Sequence, residues 1–275
     1  MSISVLMSVY QNEKPEWLDR ALKSVWTDQT LKPNEIILVK DGPLTDLLEG
    51  VIEKWQFEMG KVLMVLNNEI NLGLTKSLNK GLKLVTSKYI ARMDSDDIAF
   101  PERFEKQYAF LEKCPDISLV GGGIQEINEN DEEKHLRLYP DNTLKVIRYL
   151  PKANPFAHST VMFRKELFIK GFCYNEKYRK NQDLELWFRI IKAGYQAANL
   201  PYPVLYFRRT SDTYKKRMSW GALKSEFVIY FRGIYSLYGI FTWRYIYPII
   251  RLCVKILPSN CVAFVYHYLF KKKNL

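Results

Sequence analysis

The sequence predicts an α/β protein built on a mostly parallel central sheet, Rossmann-like and flanked by helices, with a helical appendage at its carboxyl end. Three observations carry this. Through the first hundred residues, short, continuous, β-branched runs alternate with amphipathic helical patterns. One of those runs stops abruptly in the carboxylates of Asp94-Ser95-Asp96-Asp97. The charge is also uneven. Residues 1–200 hold 28 Lys+Arg and 28 Asp+Glu, whereas residues 201–275 hold 13 basic residues against only Asp212 and Glu226, so the net charge of +11 belongs to the last quarter.

The apolar runs fall at 3–9, 36–39, 62–66 and 89–93. Their length and composition are those of strands buried on both faces. Between them, Trp17, Leu18, Ala21, Leu22 and Val25 share one helix face. Leu47, Leu48, Val51, Ile52 and Trp55 share a second, and Leu74, Leu78, Leu82 and Val85 a third. Strand–helix–strand repetition at this spacing implies right-handed βαβ units and a parallel sheet. Further on, Pro101 opens a helix, 117–120 and 124–127 read as strands about the triple glycine 121–123, and the acidic run 126–133 reads as a solvated hairpin turn with no chemistry. A strand is expected at 159–164 and a helix at 182–193, with Leu184, Trp187, Phe188 and Ile191 inward. The chain divides into a catalytic domain over 1–210 (a nucleotide-binding half, 1–100, and an acceptor half, 101–210) and a tail, 211–275.

Composition excludes several classes. The apolar and charged fractions are those of a globular protein. Cys114, Cys173, Cys253 and Cys261 show no paired spacing, so neither a zinc site nor a disulfide framework is expected, and a reducing compartment fits. The N-terminus lacks the basic and long apolar regions of a signal peptide, so the chain is expected to be cytoplasmic. In the tail, Phe227, Tyr230, Phe231, Ile234, Tyr235, Tyr238, Phe241, Trp243 and Tyr247 crowd together, interrupted by Arg232, Arg244, Arg251 and Lys255. No uncharged apolar stretch reaches the roughly 18–20 residues a span requires. Aromatic, basic, amphipathic helices of this kind lie in the membrane interface, and Lys271, Lys272 and Lys273 would add attraction to anionic headgroups. The structural alternative is a helical cap whose aromatics pack on the catalytic domain. A basic segment also attracts nucleic acid, but no nucleic-acid module is recognisable and no such partner is expected.

The acidic cluster is the chemical focus. Like charges this close repel, and a fold gains from them when a cation sits there. A hard divalent ion with oxygen ligands suits them, and the carboxyl end of a strand is where open α/β sheets bind ligands. The bland alternative is a polar loop capping a helix. Gly73-Leu74-Thr75-Lys76-Ser77 is not a phosphate-binding P-loop, because the first glycine is missing and the lysine does not follow a glycine.

Six segments then stand in order: 4–13 with Tyr10 and Glu13, Lys40-Asp41-Gly42, Asn71-Leu72-Gly73 with Leu78-Asn79-Lys80-Gly81, the 94–97 cluster, His158-Ser159-Thr160, and Gln182-Asp183-Leu184-Glu185. The series resembles glycosyltransferase family 2, inverting nucleotide-sugar transferases of GT-A fold. The context Arg92-Met93-Asp94 and the basic tail are similar to the subgroup that builds bacterial O-antigen, capsule and exopolysaccharide. The resemblance implies transfer of a hexose (galactose, glucose or N-acetylhexosamine) from a UDP-sugar to a lipid-linked saccharide, giving a β-glycoside at the inner face of the cell membrane. It implies Asp96 as first ligand to Mn²⁺ or Mg²⁺, with Asp94 on the ribose or assisting the metal. Tyr10, Glu13, Asp41, Asn71, Lys76, Arg92 and Ser95 would line the nucleotide-sugar pocket. Asp183 would be the general base; the more frequent preceding acid is replaced here by Gln182. His158, Arg208, Arg209 and Asp97 would face the acceptor or diphosphate, Arg208 and Arg209 standing where the family often has a histidine. For Asn79 and Gly81, close helix packing is an equal alternative to ligand contact, and for Asp183 the alternative is a helix cap. A sugar-nucleotide nucleotidyltransferase, or transfer to a soluble acceptor, are the competing functions.

Overall fold

The structure, a computed structural model, describes residues 2–210 and 220–256. The lysines at 271–273 and Cys261 lie outside the described residues. Strands β1 (Ile3–Val9), β2 (Glu35–Lys40), β3 (Leu63–Asn67) and β4 (Tyr89–Arg92) alternate with helices α1 (Pro15–Val25), α2 (Asp46–Met59) and α3 (Leu74–Leu82). They pair in parallel, with Ser4 opposite Glu35, Leu6 opposite both Ile37 and Arg92, and Ile36 opposite Leu63. The expected βαβ half is thus present.

The second half makes the sheet mixed. After β5 (Ile98–Ala99) and α4 (Arg103–Lys113) come the long β6 (Ile117–Ile127), β7 (Glu133–Arg137) and α5 (Thr143–Tyr149). Then follow β8 (Met162–Arg164), α6 (Glu166–Ile169), α7 (Gln182–Lys192) and β9 (Gln196–Arg208). Among the described residues the order is β3-β2-β1-β4-β8-β6-β9-β5, with β7 on β6. β8 is antiparallel to β4 and β6, whereas β9 runs parallel to β6. β6 passes unbroken through the triple glycine, and its register with β9 shifts there. A side chain at Gly122 would meet Val204 at 2.7 Å, so the glycines let β9 approach closely.

Two apolar layers cover the sheet. Leu18 and Leu22 of α1, Ile52 and Trp55 of α2 and Phe104 of α4 belong to one. Leu78 of α3, Trp187 and Phe188 of α7 and Tyr230 belong to the other. Leu47, expected on the inner face of α2, is exposed, because it lies in the first turn beyond the sheet's cover.

The tail forms α8 (Trp220–Tyr238) and α9 (Ile246–Ile256). α8 packs on the catalytic body: Ile229, Tyr230 and Ile234 are buried, and Gly233 lies directly on the Phe188 ring. The packed-cap alternative therefore describes α8. No described helix is long and apolar enough to cross a membrane.

Candidate active site

Because β1, β2 and β4 run parallel and in register, the residues after each strand reach the same sheet edge. β1 pairs with β2 on one side and β4 on the other, so the chain switches direction between β1 and β4, where open α/β sheets leave a crevice. From β1 comes the Tyr10 turn, closed by the Glu13 amide donating to the Tyr10 carbonyl (3.0 Å). From β4 comes the acidic cluster. The Ser95 hydroxyl donates to the Glu13 carboxylate and ties the two together. Burial, and secondarily Asp94, push the Glu13 carboxyl above its ordinary range.

Asp94, Asp96 and Asp97 each offer a carboxylate oxygen, and these lie within 4.8 Å of one another. Asp97 is buried. One of its oxygens accepts from the Arg208 amide (2.9 Å), and the other has no hydrogen-bond partner among the described residues. Burial, then the neighbouring Asp94 charge, raise the Asp97 carboxyl to about 7. Asp96 is raised in the same way, by burial and by Asp97 and Asp94. Three hard oxygen donors, mutually repelling and with a buried lone pair unused, fit a hard divalent cation.

Arginines buttress the cluster. Arg92 is buried and its Nη2 donates to Asp94, leaving Nε and Nη1 without partners among the described residues. Arg103 lies beneath, donating to the Arg92 carbonyl (2.7 Å). Burial lowers it to about 9. Arg208, given to the acceptor or diphosphate by the sequence, is turned into the protein. It donates to the carbonyls of Asp96 (2.9 Å) and Asn128 (3.0 Å), pairs with Asp131 and stacks on Trp17 (4.8 Å). Arg209 pairs with Glu126 (2.9 Å). The acidic run 126–133 is thus more than a solvated turn, since its members hold both arginines and Lys14 (to Glu129, 3.6 Å).

Asp41 is buried, and its carboxylate shapes the next loop. It accepts from the amides of Leu72 (2.8 Å) and Gly73 (2.9 Å) and from Asn68 (3.1 Å), while Asn71 donates to its carbonyl (3.1 Å). Gly42 follows at φ +92°, with Asn71 N only 2.8 Å from where a Cβ would stand, so this turn demands glycine. Lys76 is exposed on α3. Asn79 bonds the Tyr174 carbonyl and amide (2.8 and 3.0 Å), and Gly81 lies against Leu6, which supports the packing reading for both.

Asp183 sits in the first turn of α7. One of its oxygens accepts from Asn154 Nδ2 (2.6 Å). Glu185 is spent on Arg189 (2.9 Å), one turn along. His158 Nε2 and the Tyr174 hydroxyl are joined at 2.7 Å. Burial, then Arg92, lower His158 to about 4, while Asp183 and Asp94 act in the opposite sense. The same two carboxylates act on Tyr174, whose phenol burial raises. Asp183 and Asp94 thus both act on this pair, of which Tyr174 is buried and His158 half-buried. Asn154, Tyr174, Arg103 and Asn68 were not singled out from sequence. Asn154 stands alone between Ala153 and Pro155, and nothing local signals that it meets Asp183 twenty-nine residues on.

A carboxylate cluster at the switch point of this mixed α/β sheet marks the candidate active site of a glycosyltransferase. The comparisons agree. Residues 4–172 match the family model "Glycosyl transferase family 2", and the chain belongs to that family. It is similar to the amylovoran biosynthesis glycosyltransferase AmsE of Erwinia amylovora, 38% identical over 96% of this chain and 97% of that one. It is 28% identical, over 98% and 96%, to the UDP-Gal:alpha-D-GlcNAc-diphosphoundecaprenol beta-1,3-galactosyltransferase of Escherichia coli. In fold it resembles S. aureus TarS 1-349 in complex with UDP, with a TM-score of 0.61 at 18% identity over 100% of this chain and 74% of that one.

Proposed function

We propose that this glycosyltransferase moves a hexose from a UDP-sugar to a lipid-linked saccharide, an undecaprenyl diphosphate sugar, with inversion, in the assembly of bacterial O-antigen, capsule or exopolysaccharide. The observation that carries this reading is the cluster of Asp94, Asp96 and Asp97 carboxylates, within 4.8 Å of one another at the end of the parallel strand β4, in a chain of glycosyltransferase family 2. The printed activity of the E. coli relative, a UDP-galactose donor and a diphosphoundecaprenol acceptor, supports the substrate classes. Catalysis would take place at the inner membrane surface, reached through the basic carboxyl-terminal segment.

Asp94, Asp96 and Asp97 would hold Mn²⁺ or Mg²⁺. When bound, such an ion offsets charge on the leaving diphosphate. The protein's own residues do the rest. Asn154 fixes one oxygen of Asp183, and the other is left to take the proton of the acceptor hydroxyl. The acceptor's hydroxyl oxygen, as it gives its proton to Asp183, attacks the anomeric carbon while that carbon's bond to the diphosphate breaks; UDP leaves, and one displacement inverts the centre. Holding donor carbon and acceptor oxygen in line can contribute ~7–11 kcal/mol. Neutral His158 bonded to Tyr174 adds an uncharged pair within the influence of both Asp183 and Asp94. Arg92, with two donor atoms unused, is suited to an anionic donor group.

The test pairs two variants. Asp96→Ala and Asp183→Asn should each reduce transfer by orders of magnitude, but only Asp96→Ala should weaken UDP and metal binding in calorimetry. Equal nucleotide affinity in wild type and both variants contradicts these roles. Pyrophosphate release from a nucleoside triphosphate would favour the nucleotidyltransferase instead.

A further inference from the structure

Over its described side chains, 246–253, α9 leaves isoleucines outward that a water-facing helix would bury. A helix on a globular body turns its apolar stripe inward and its charges out. Here Ile246, Ile249 and Ile250, spaced to share one face, are exposed. Arg251 is turned in, bonded to Glu226 (2.7 Å) and the Lys152 carbonyl (3.2 Å) and stacked on Tyr230 (5.3 Å). The α8–α9 turn extends the surface: Phe241 is 100%, Trp243 65% and Ile240 64% exposed. Ring contacts of Phe231 with Tyr245 (4.7 Å) and of Trp243 with Tyr247 (5.4 Å) join turn and helices. So many large apolar groups in one exposed region mark an interaction surface.

Charge decides the occupant. This surface belongs to the tail, 211–275, which holds 11 basic residues against two acidic ones. A second copy seated on it would set like charge against like. An anionic lipid interface complements it, since aromatic rings settle at headgroup level and cations meet the lipid charge.

We propose that the outward side of α9 and the α8–α9 turn form a docking surface for an anionic lipid bilayer, joined through one loop to the candidate base. Arg251 bonds the Lys152 carbonyl and Tyr238 bonds the Ile147 carbonyl (2.7 Å). Two residues beyond Lys152, Asn154 holds Asp183. Docking thus fixes the height of Asp183 above the lipid, where the sugar of a membrane-anchored acceptor emerges; this placement rests on the reading of Asp183 as the base.

The experiment uses the full chain. It is floated with vesicles of phosphatidylcholine plus phosphatidylglycerol, or of phosphatidylcholine alone. Transfer is measured in parallel to a polyprenyl diphosphate saccharide in the vesicles and to a short-chain, water-soluble analogue. Wild type should partition to the anionic vesicles at least ~10-fold more than to the neutral ones. The double variant Phe241→Ser, Ile249→Ser should lose ~10-fold or more of that partition, and with it transfer to the embedded acceptor, while keeping transfer to the short one. Phe57→Ser, which alters an equally bare phenylalanine on α2, should change neither. Undiminished flotation of the double variant overturns the proposal. So does a variant that loses only self-association in sedimentation, which would make the face a contact between copies. Face-dependent flotation with transfer to neither acceptor upholds the docking surface and counts instead against the acceptor assignment.

Discussion

Replacing Asp96 by asparagine should make the metal-free protein more stable, not less. The carboxylate oxygens of Asp94, Asp96 and Asp97 lie within 4.8 Å of one another. Two unit charges at that separation repel by about 3.5 kcal/mol at an effective dielectric constant of about 20. Asp96 takes part in two such pairs. The folded protein relieves part of this by retaining protons: burial first, then the Asp94 charge, raise Asp97 to about 7. A net gain of about 2–4 kcal/mol at pH 8 is therefore expected, a rise in Tm of roughly 4–12 °C for a chain of this size. The link from the Asp96 carbonyl to Arg208 is made by the backbone and survives the change.

The pH dependence has a definite sign. A carboxyl whose folded pKa is raised keeps its proton in the native state after the unfolded chain has lost it. The contribution of the raised carboxyls to the stability of the metal-free wild type is then fully present below the ordinary carboxylate range and is lost as pH rises through about 7, the value for Asp97. The benefit of Asp96→Asn should shrink at pH 5. Mn²⁺ at about 1,000 times its Kd should reverse the ranking at pH 8, since it adds about 4.1 kcal/mol to the wild type, while the variant lacks one of the proposed ligands. The assay is thermal melting with EDTA or Mn²⁺ at both pH values. A variant that melts below wild type in EDTA at pH 8, or whose gain is the same at pH 5, refutes the argument.

Two further outcomes can be checked. Asn154→Ala should leave donor KM unchanged and lower kcat about 10–100-fold, because Asp183 stays ionisable but loses its orientation; steady-state kinetics against UDP-sugar read both. Gly81→Ala would drive a methyl into Leu6 and crowd Val39 (3.2 Å) and Ile37 (3.3 Å), costing about 1–3 kcal/mol, visible as a lower urea midpoint with unchanged m-value.

Much of the site was legible because its signals are local. A carboxylate cluster directly after a buried β-branched run declares its place at a strand end, and Asp41 and Glu13 follow strands in the same way. Arg208 shows the limit. Its position after an aromatic pair suggested a ligand-facing cation, but the β6–β7 hairpin folds back over it and takes its guanidinium into the carbonyls of Asp96 and Asn128. The run 126–133 looked solvated for the same reason, since its partners Lys14, Arg208 and Arg209 are distant in the chain.

The sequence alone determined the parallel βαβ half, the acidic cluster at its edge and the separate basic, aromatic tail, because hydrophobic periodicity and charge are properties of neighbouring residues. Only the tertiary structure decided that α8 seals the body while α9 turns its isoleucines outward, and that Asn154 holds Asp183. Those outcomes depend on which distant surfaces meet, and packing and pairing across the fold choose among faces that the linear pattern leaves equivalent.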